Sequence, residues 1–143
     1  MSDGIDNIQE LLRGEISAVE TYRQALEKVD DQLEAADLRR LESEHQEAVN
    51  RLSEAVSRLG ATPETDSGGW GAFARAVEGT SKVFGNRAAL EALKKGEEHG
   101  LSDYREALDD RATDPEVNRL IRGTLIPRQE EHIVTLDRLM EAS

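Results

Sequence analysis

Cysteine is absent from this 143-residue chain, which excludes disulfides, thiolate metal sites and iron–sulfur clusters. Aromatic residues make up 3% and proline occurs three times. Basic residues are outnumbered 18 to 30 by acidic ones, for a net charge of −12. So acidic a surface argues against nucleic acid or an anionic membrane as the main partner. No apolar run reaches membrane-spanning length, and the N-terminal residues lack the basic and apolar regions of a secretion signal. The expected location is cytoplasmic. What is present is mostly Ala, Leu, Val and Ile within a 37% hydrophobic composition, alongside abundant Glu and Arg. That profile favours an all-α bundle, and the length suits a single domain over 1–143 with one substantial core.

Hydrophobic periodicity predicts four long helices, at about 3–29, 32–59, 86–110 and 114–142. The first carries Ile8, Leu11, Leu12, Val19, Tyr22, Leu26 and Val29 on one face, with Glu15 in phase. Asp30-Asp31 marks a tight break, so the second helix folds back antiparallel. Its stripe is Leu38, Leu41, His45, Ala48, Leu52, Val56 and Leu59. Gly60 caps it and Pro63 blocks a restart. The third helix carries Leu90, Leu93, Glu97, Leu101 and Tyr104. Thr113-Asp114-Pro115-Glu116 announces the fourth with a capping residue, a first-turn proline and an acid near the positive helix end. Its stripe is Val117, Ile121, Leu125, Gln129, His132, Leu136 and Met140. Pro127 lies inside that helix and crowds the carbonyl of Gly123, which predicts a kink or bulge.

Between the second and third helices, residues 60–85 form a long connection. Trp70, Phe73, Ala74 and Val77 are spaced as one short amphipathic helix, followed by Val83-Phe84. The expected arrangement is a crossover that runs the length of the bundle with its aromatic face pressed onto it. Homodimerisation around Trp70 and Phe73 is the other use of that face.

All four helices place polar groups in their buried stripes. Glu15, Ala18 and Tyr22 stand at offsets 0, +3 and +7. Glu97, Gly100 and Tyr104 repeat the pattern, and each Glu follows a glycine, Gly14 or Gly96. Helix two adds Glu42 and His45 at i, i+3; helix four adds Gln129 and His132 at the same spacing. Burying carboxylates without partners is expensive. A Glu from each of two helices with Glu-x-x-His from each of the others is the ligand pattern of di-iron and di-manganese carboxylate bundles. Carboxylates neutralise divalent ions and imidazole adds a selective nitrogen. Tyr22 and Tyr104 fit as hydrogen-bond donors to the ligating carboxylates. His99, rotated about 200° from Glu97, is expected at the surface or against the crossover.

In these residues the chain resembles the ferritin-like superfamily, of which rubrerythrin and bacterioferritin are members. Glu15-x-x-Ala18-x-x-x-Tyr22 and Glu42-x-x-His45 correspond to its first half. Glu97-x-x-Gly100-x-x-x-Tyr104 and His132 correspond to its second. The stretch Gly96-Glu97-Glu98-His99, with Tyr104, also resembles a small bacterial branch made up of four-helix proteins of unknown function. The resemblance implies an antiparallel four-helix bundle whose long crossover joins helices two and three. It further implies a metal centre at Glu15, Glu42, His45, Glu97, Gln129 and His132, holding two iron ions or one, with manganese or zinc as alternatives. The implied activity is oxidation of ferrous iron or handling of peroxide, with oxygen or peroxide as the reacting partner. Gln129 stands where the superfamily carries its fourth Glu. Gln is neutral and bridges metals poorly, so a bulge at Pro127 that turned Glu130 or Glu131 inward would restore the missing charge. Two readings compete with this one. In the first, the buried Glu and His residues form a metal-free polar network, in a helical stress-response or protein-interaction bundle that uses Trp70 and Phe73 as its partner surface. The second is an iron-storing cage.

Overall fold

The computed structural model describes residues 2–68, 75 and 85–142. It is an all-α, four-helix bundle. Helix α1 spans Ser2–Lys28 and α2 spans Gln32–Arg58; α3 spans Gly85–Asp109. The fourth rod is continuous but built in three parts: α4 (Pro115–Leu120), a π-helical turn (Ile121–Leu125) and α5 (Ile126–Ala142). Among the described residues there is no strand.

Local chemistry accounts for the helix ends. Asp31 sits in extended backbone and its carboxylate accepts from the Glu34 N–H at 2.9 Å, which caps α2. At the other end Gly60 adopts φ +92°, open to glycine and unfavourable for other residues. There the Ala61 N–H donates to the Val56 carbonyl at 3.1 Å and the Gly60 N–H to that of Ser57 at 3.0 Å. This is the paired closure of a Schellman motif, with Ala61 folded onto the core. Asp114 caps α4 by accepting from the Glu116 and Val117 N–H groups, with Pro115 in the first turn. Arg58 donates to Asp114 at 2.7 Å and so ties the end of α2 to the start of α4.

The π-helical turn falls just before Pro127, where the sequence predicts a kink or bulge. The Ile126 N–H reaches back five residues to the Ile121 carbonyl. Val117, Ile121, Leu125 and Gln129 are spaced by four, so on an ideal α-helix they drift by about 120° over that stretch. One extra residue in the turn absorbs about 100° of it. All four side chains consequently share the buried face.

The core has two apolar parts. One gathers Ile8, Leu12, Leu52, Val56, Ile121 and Leu125 with Tyr104. The other gathers Ala25, Leu38, Leu41, Leu90, Leu136 and Met140 with Tyr22. Each fully buried Leu stabilises by about 1.5–3 kcal/mol. Between the two parts lies a layer of buried polar groups: Glu15, His45, Glu97, Gln129 and His132.

Helix α2 ends among the first cluster and α3 begins among the second, so the connection between them must travel the length of the bundle. Its first part follows α1: Gln9 donates to the Thr62 carbonyl at 2.8 Å, and Arg13 donates to Glu64 at 2.7 Å. Arg75 is helical. The aromatic face expected at Trp70, Phe73, Ala74 and Val77, and the pair Val83-Phe84, lie outside the described residues.

Candidate metal centre

The repeated Glu-x-x-small-x-x-x-Tyr stretches face each other across α1 and α3. Seven residues of helix span about 10.5 Å, and the two helices run antiparallel, so each tyrosine meets the glutamate of the opposite helix. Tyr22 donates to Glu97 Oε2 at 2.5 Å. Tyr104 donates to Glu15 Oε2. Burial, followed by these carboxylates, pushes both phenols well above their ordinary pKa. They remain O–H donors throughout the working pH range.

His45 projects between the two carboxylates. Its Nδ1 is 2.5 Å from Glu15 Oε1 and its Nε2 is 2.7 Å from Glu97 Oε2. Burial alone disfavours a charged imidazole, but Glu97 and Glu15 outweigh it and hold the His45 pKa well above the usual value. Burial likewise pushes the Glu97 carboxyl up, and the opposing pull of His45 and His132 brings it down to about 2. Without a metal, this pairing favours a protonated His45 ring between Glu15 and Glu97.

His132 enters from α5. Its Nδ1 lies 3.1 Å from Glu97 Oε2 and 3.2 Å from His45 Nε2. His45, Glu97 and His132, all fully buried, thus bring ligand atoms within 4.8 Å of one another. Glu97 Oε1 is also buried, with no hydrogen-bond partner. A carboxylate with one oxygen against two imidazole nitrogens and the other unpartnered fits a divalent cation, which would supply the missing contact. The opposite nitrogen of His132, Nε2, is 2.7 Å from Glu44 Oε1. Glu44, Glu131 and His132 make a second, more exposed group with ligand atoms within 4.8 Å. Arg40 closes that group from outside, 2.9 Å from Glu131 and 3.7 Å from Glu44.

The predicted site residues therefore divide. Glu97, His45 and His132 converge directly, and Glu15 joins them through the far side of the His45 ring. Glu42 stands apart: its partly exposed carboxylate turns toward α1, 3.5 Å from Arg23 Nε. Gln129 is buried and its Nε2 donates to the Glu97 backbone carbonyl at 3.2 Å. Gly100 makes room for that amide, since a Cβ there would come within 2.5 Å of Gln129 Nε2. The π-helical turn brings Gln129 inward and leaves both acids outside: Glu130 pairs with Arg105 and Glu131 with Arg40. His99 is exposed, 3.9 Å from Asp103. Sequence reasoning missed Glu44. Its signal was its place three residues after Leu41 and four before Ala48, at the edge of the α2 stripe.

A buried His/Glu cluster able to chelate a metal ion is thus present in an all-α bundle, consistent with the broad ferritin-like superfamily. Among the described residues, no helix is long and apolar enough to cross a membrane. No curated protein matches the chain. Residues 3–110 of the 143 match the family model described as "Domain of unknown function (DUF2383)", and the chain belongs to that family.

Proposed function

We propose that this protein binds one divalent transition-metal ion through His45 Nε2, the Glu97 carboxylate and His132 Nδ1. The observation that carries the reading is the convergence of both ring nitrogens on the Glu97 carboxylate, whose second oxygen has no hydrogen-bond partner. Charge favours one ion over two. Glu15 and Glu97 together supply −2 once His45 has released its proton, whereas two divalent ions need about twice that, and Gln129 adds none. Two imidazoles and one carboxylate suit iron(II), with manganese or zinc as alternatives. Such a triad leaves coordination positions open, and an iron ion there supplies redox chemistry with dioxygen or peroxide. The chain's own part is then clear. Glu15 accepts from His45 Nδ1 and orients the ring, as carboxylates behind metal-bound histidines do. Tyr104 holds Glu15, Tyr22 holds Glu97, and the two apolar clusters keep bulk water from the layer. Oxidation of ferrous iron or disposal of peroxide is the reaction class we assign, in the cytoplasm.

Metal content measured on protein loaded anaerobically with iron(II) tests this directly. About one ion per chain is expected, reduced to background in Glu97→Ala and His132→Ala. Equal content in wild type and both variants would sink the assignment. A second reading, the metal-free polar network, draws on one observation: every nitrogen of His45 and His132 already has a protein partner. Wild-type protein that binds no metal above background would establish it.

A further inference from the structure

The polar layer is not sealed on every side. Between α1 and α3 lies a cavity of about 30 Å³ whose floor includes Glu15, His45 and Glu97. One water needs roughly 10–15 Å³ by this measure, so the space takes one or two water-sized species and no organic substrate. Its walls include four residues with little or no side chain, Gly14 and Ala18 on α1 and Gly96 and Gly100 on α3. These four are only half-buried, as is Asp103, which also lines the cavity. Glu97, 2% exposed and with its Oε1 unpartnered, lies at the bottom. The small positions of the two repeats thus leave a passage from the surface toward Glu97 and His45.

The opposite side of the layer is closed. There Glu44 covers His132 Nε2, and Arg40 lies across Glu44 and Glu131. Beside the cavity stands the half-buried Asp103, with His99 3.9 Å away and Glu106 and Glu10 nearby. An acidic mouth raises the local concentration of cations and speeds their capture.

We propose that the α1–α3 seam is the route by which a divalent cation reaches the buried centre, with Asp103 as the residue that draws it to the mouth. The inference rests on the metal-binding reading above and adds the path and its guiding carboxylate.

Stopped-flow mixing of the metal-free full-length protein with cobalt(II) chloride, followed by visible absorption, tests it. Ala18→Leu fills the seam and should slow uptake by about tenfold or more, as expected where close packing replaces open space. Asp103→Asn keeps the shape, and should slow uptake roughly threefold and flatten its dependence on ionic strength. Glu47→Gln, on the α2–α5 side where Glu47 pairs with Arg128, should leave the rate unchanged. Final cobalt content should match wild type in all three. Wild-type rates in Ala18→Leu and Asp103→Asn, or slowed uptake in Glu47→Gln, would overturn the route while leaving metal binding intact. Wild-type protein that takes up no cobalt would remove both readings. Should Ala18→Leu fail to fold, Asp103→Asn decides alone.

Discussion

His45 Nε2 stands 2.7 Å from Glu97 Oε2 in a layer flanked by two apolar clusters, and the far nitrogen of the same ring meets Glu15 at 2.5 Å. One imidazole therefore bridges carboxylates from two helices. Removing it leaves both buried without a cation, a change that typically costs about 3–5 kcal/mol. His45→Ala should lower the urea-unfolding free energy of the metal-free protein by about that amount and abolish metal binding. A loss below about 1 kcal/mol would show that water reaches the carboxylates in place of the ring.

The same pairing gives the metal-free protein a stability optimum in pH. Glu97 is lowered from 4.5 to about 2, so its contribution is complete above about pH 4.5 and lost as pH falls toward 2. His45 is raised well above 6.5, so its contribution is complete below about pH 6.5 and lost as pH rises through the folded value. Urea midpoints across this range should peak between about pH 4.5 and 6.5. A curve that keeps rising through pH 8 would contradict the His45 assignment.

Metal binding should carry the opposite dependence. A ligating imidazole must be deprotonated, so binding releases the His45 proton. Calorimetric titration with zinc(II) in buffers of differing ionisation enthalpy should show proton release, with affinity rising as pH increases. Pairing with Glu97 and Glu15 favours the protonated ring and thereby weakens apparent affinity at neutral pH.

Gln129→Glu exchanges a donor for an acceptor against the Glu97 carbonyl, 3.2 Å away. Without metal the variant should melt lower, by about 1–3 kcal/mol in stability, because two acceptors then face each other in a buried layer. With iron(II) it should regain stability and take up a second ion more readily, since the added carboxylate brings the site closer to the charge that two cations need. Unchanged stoichiometry would place the limit in geometry and not in charge.

Gly100→Ala gains helix propensity of about 0.5–1 kcal/mol but puts a Cβ within 2.5 Å of Gln129 Nε2. In the wild-type background the displaced amide should cancel the gain. In a Gln129→Ala background the same change should stabilise by about 0.5–1 kcal/mol. Thermal melts of the four proteins make the cycle, and additivity would show that the two sites do not touch.

Much of this protein could be read from its sequence because the relevant physics is local. Helix phase repeats every 3.6 residues, so Glu15, His45, Glu97, Gln129 and His132 announced themselves as polar residues on buried stripes. Gly60 and Asp114-Pro115 set their helix ends through contacts within a few residues. Even the π-helical turn was foreshadowed, as a kink or bulge, by Pro127. The choice between Glu42 and Glu44 was not local. Each lies about 80° from the centre of the α2 stripe, on opposite sides, so periodicity within α2 treats them alike. Which helix packs on which flank separates them: α1 offers Arg23 to Glu42, and α5 offers His132 to Glu44. The crossed tyrosine–glutamate bonds depend in the same way on α1 and α3 running antiparallel at close approach. The sequence by itself determined which residues are buried and which chemistry they can carry. Only the tertiary structure decided which of them meet, because that depends on the rotation and spacing of neighbouring helices, which no single helix encodes.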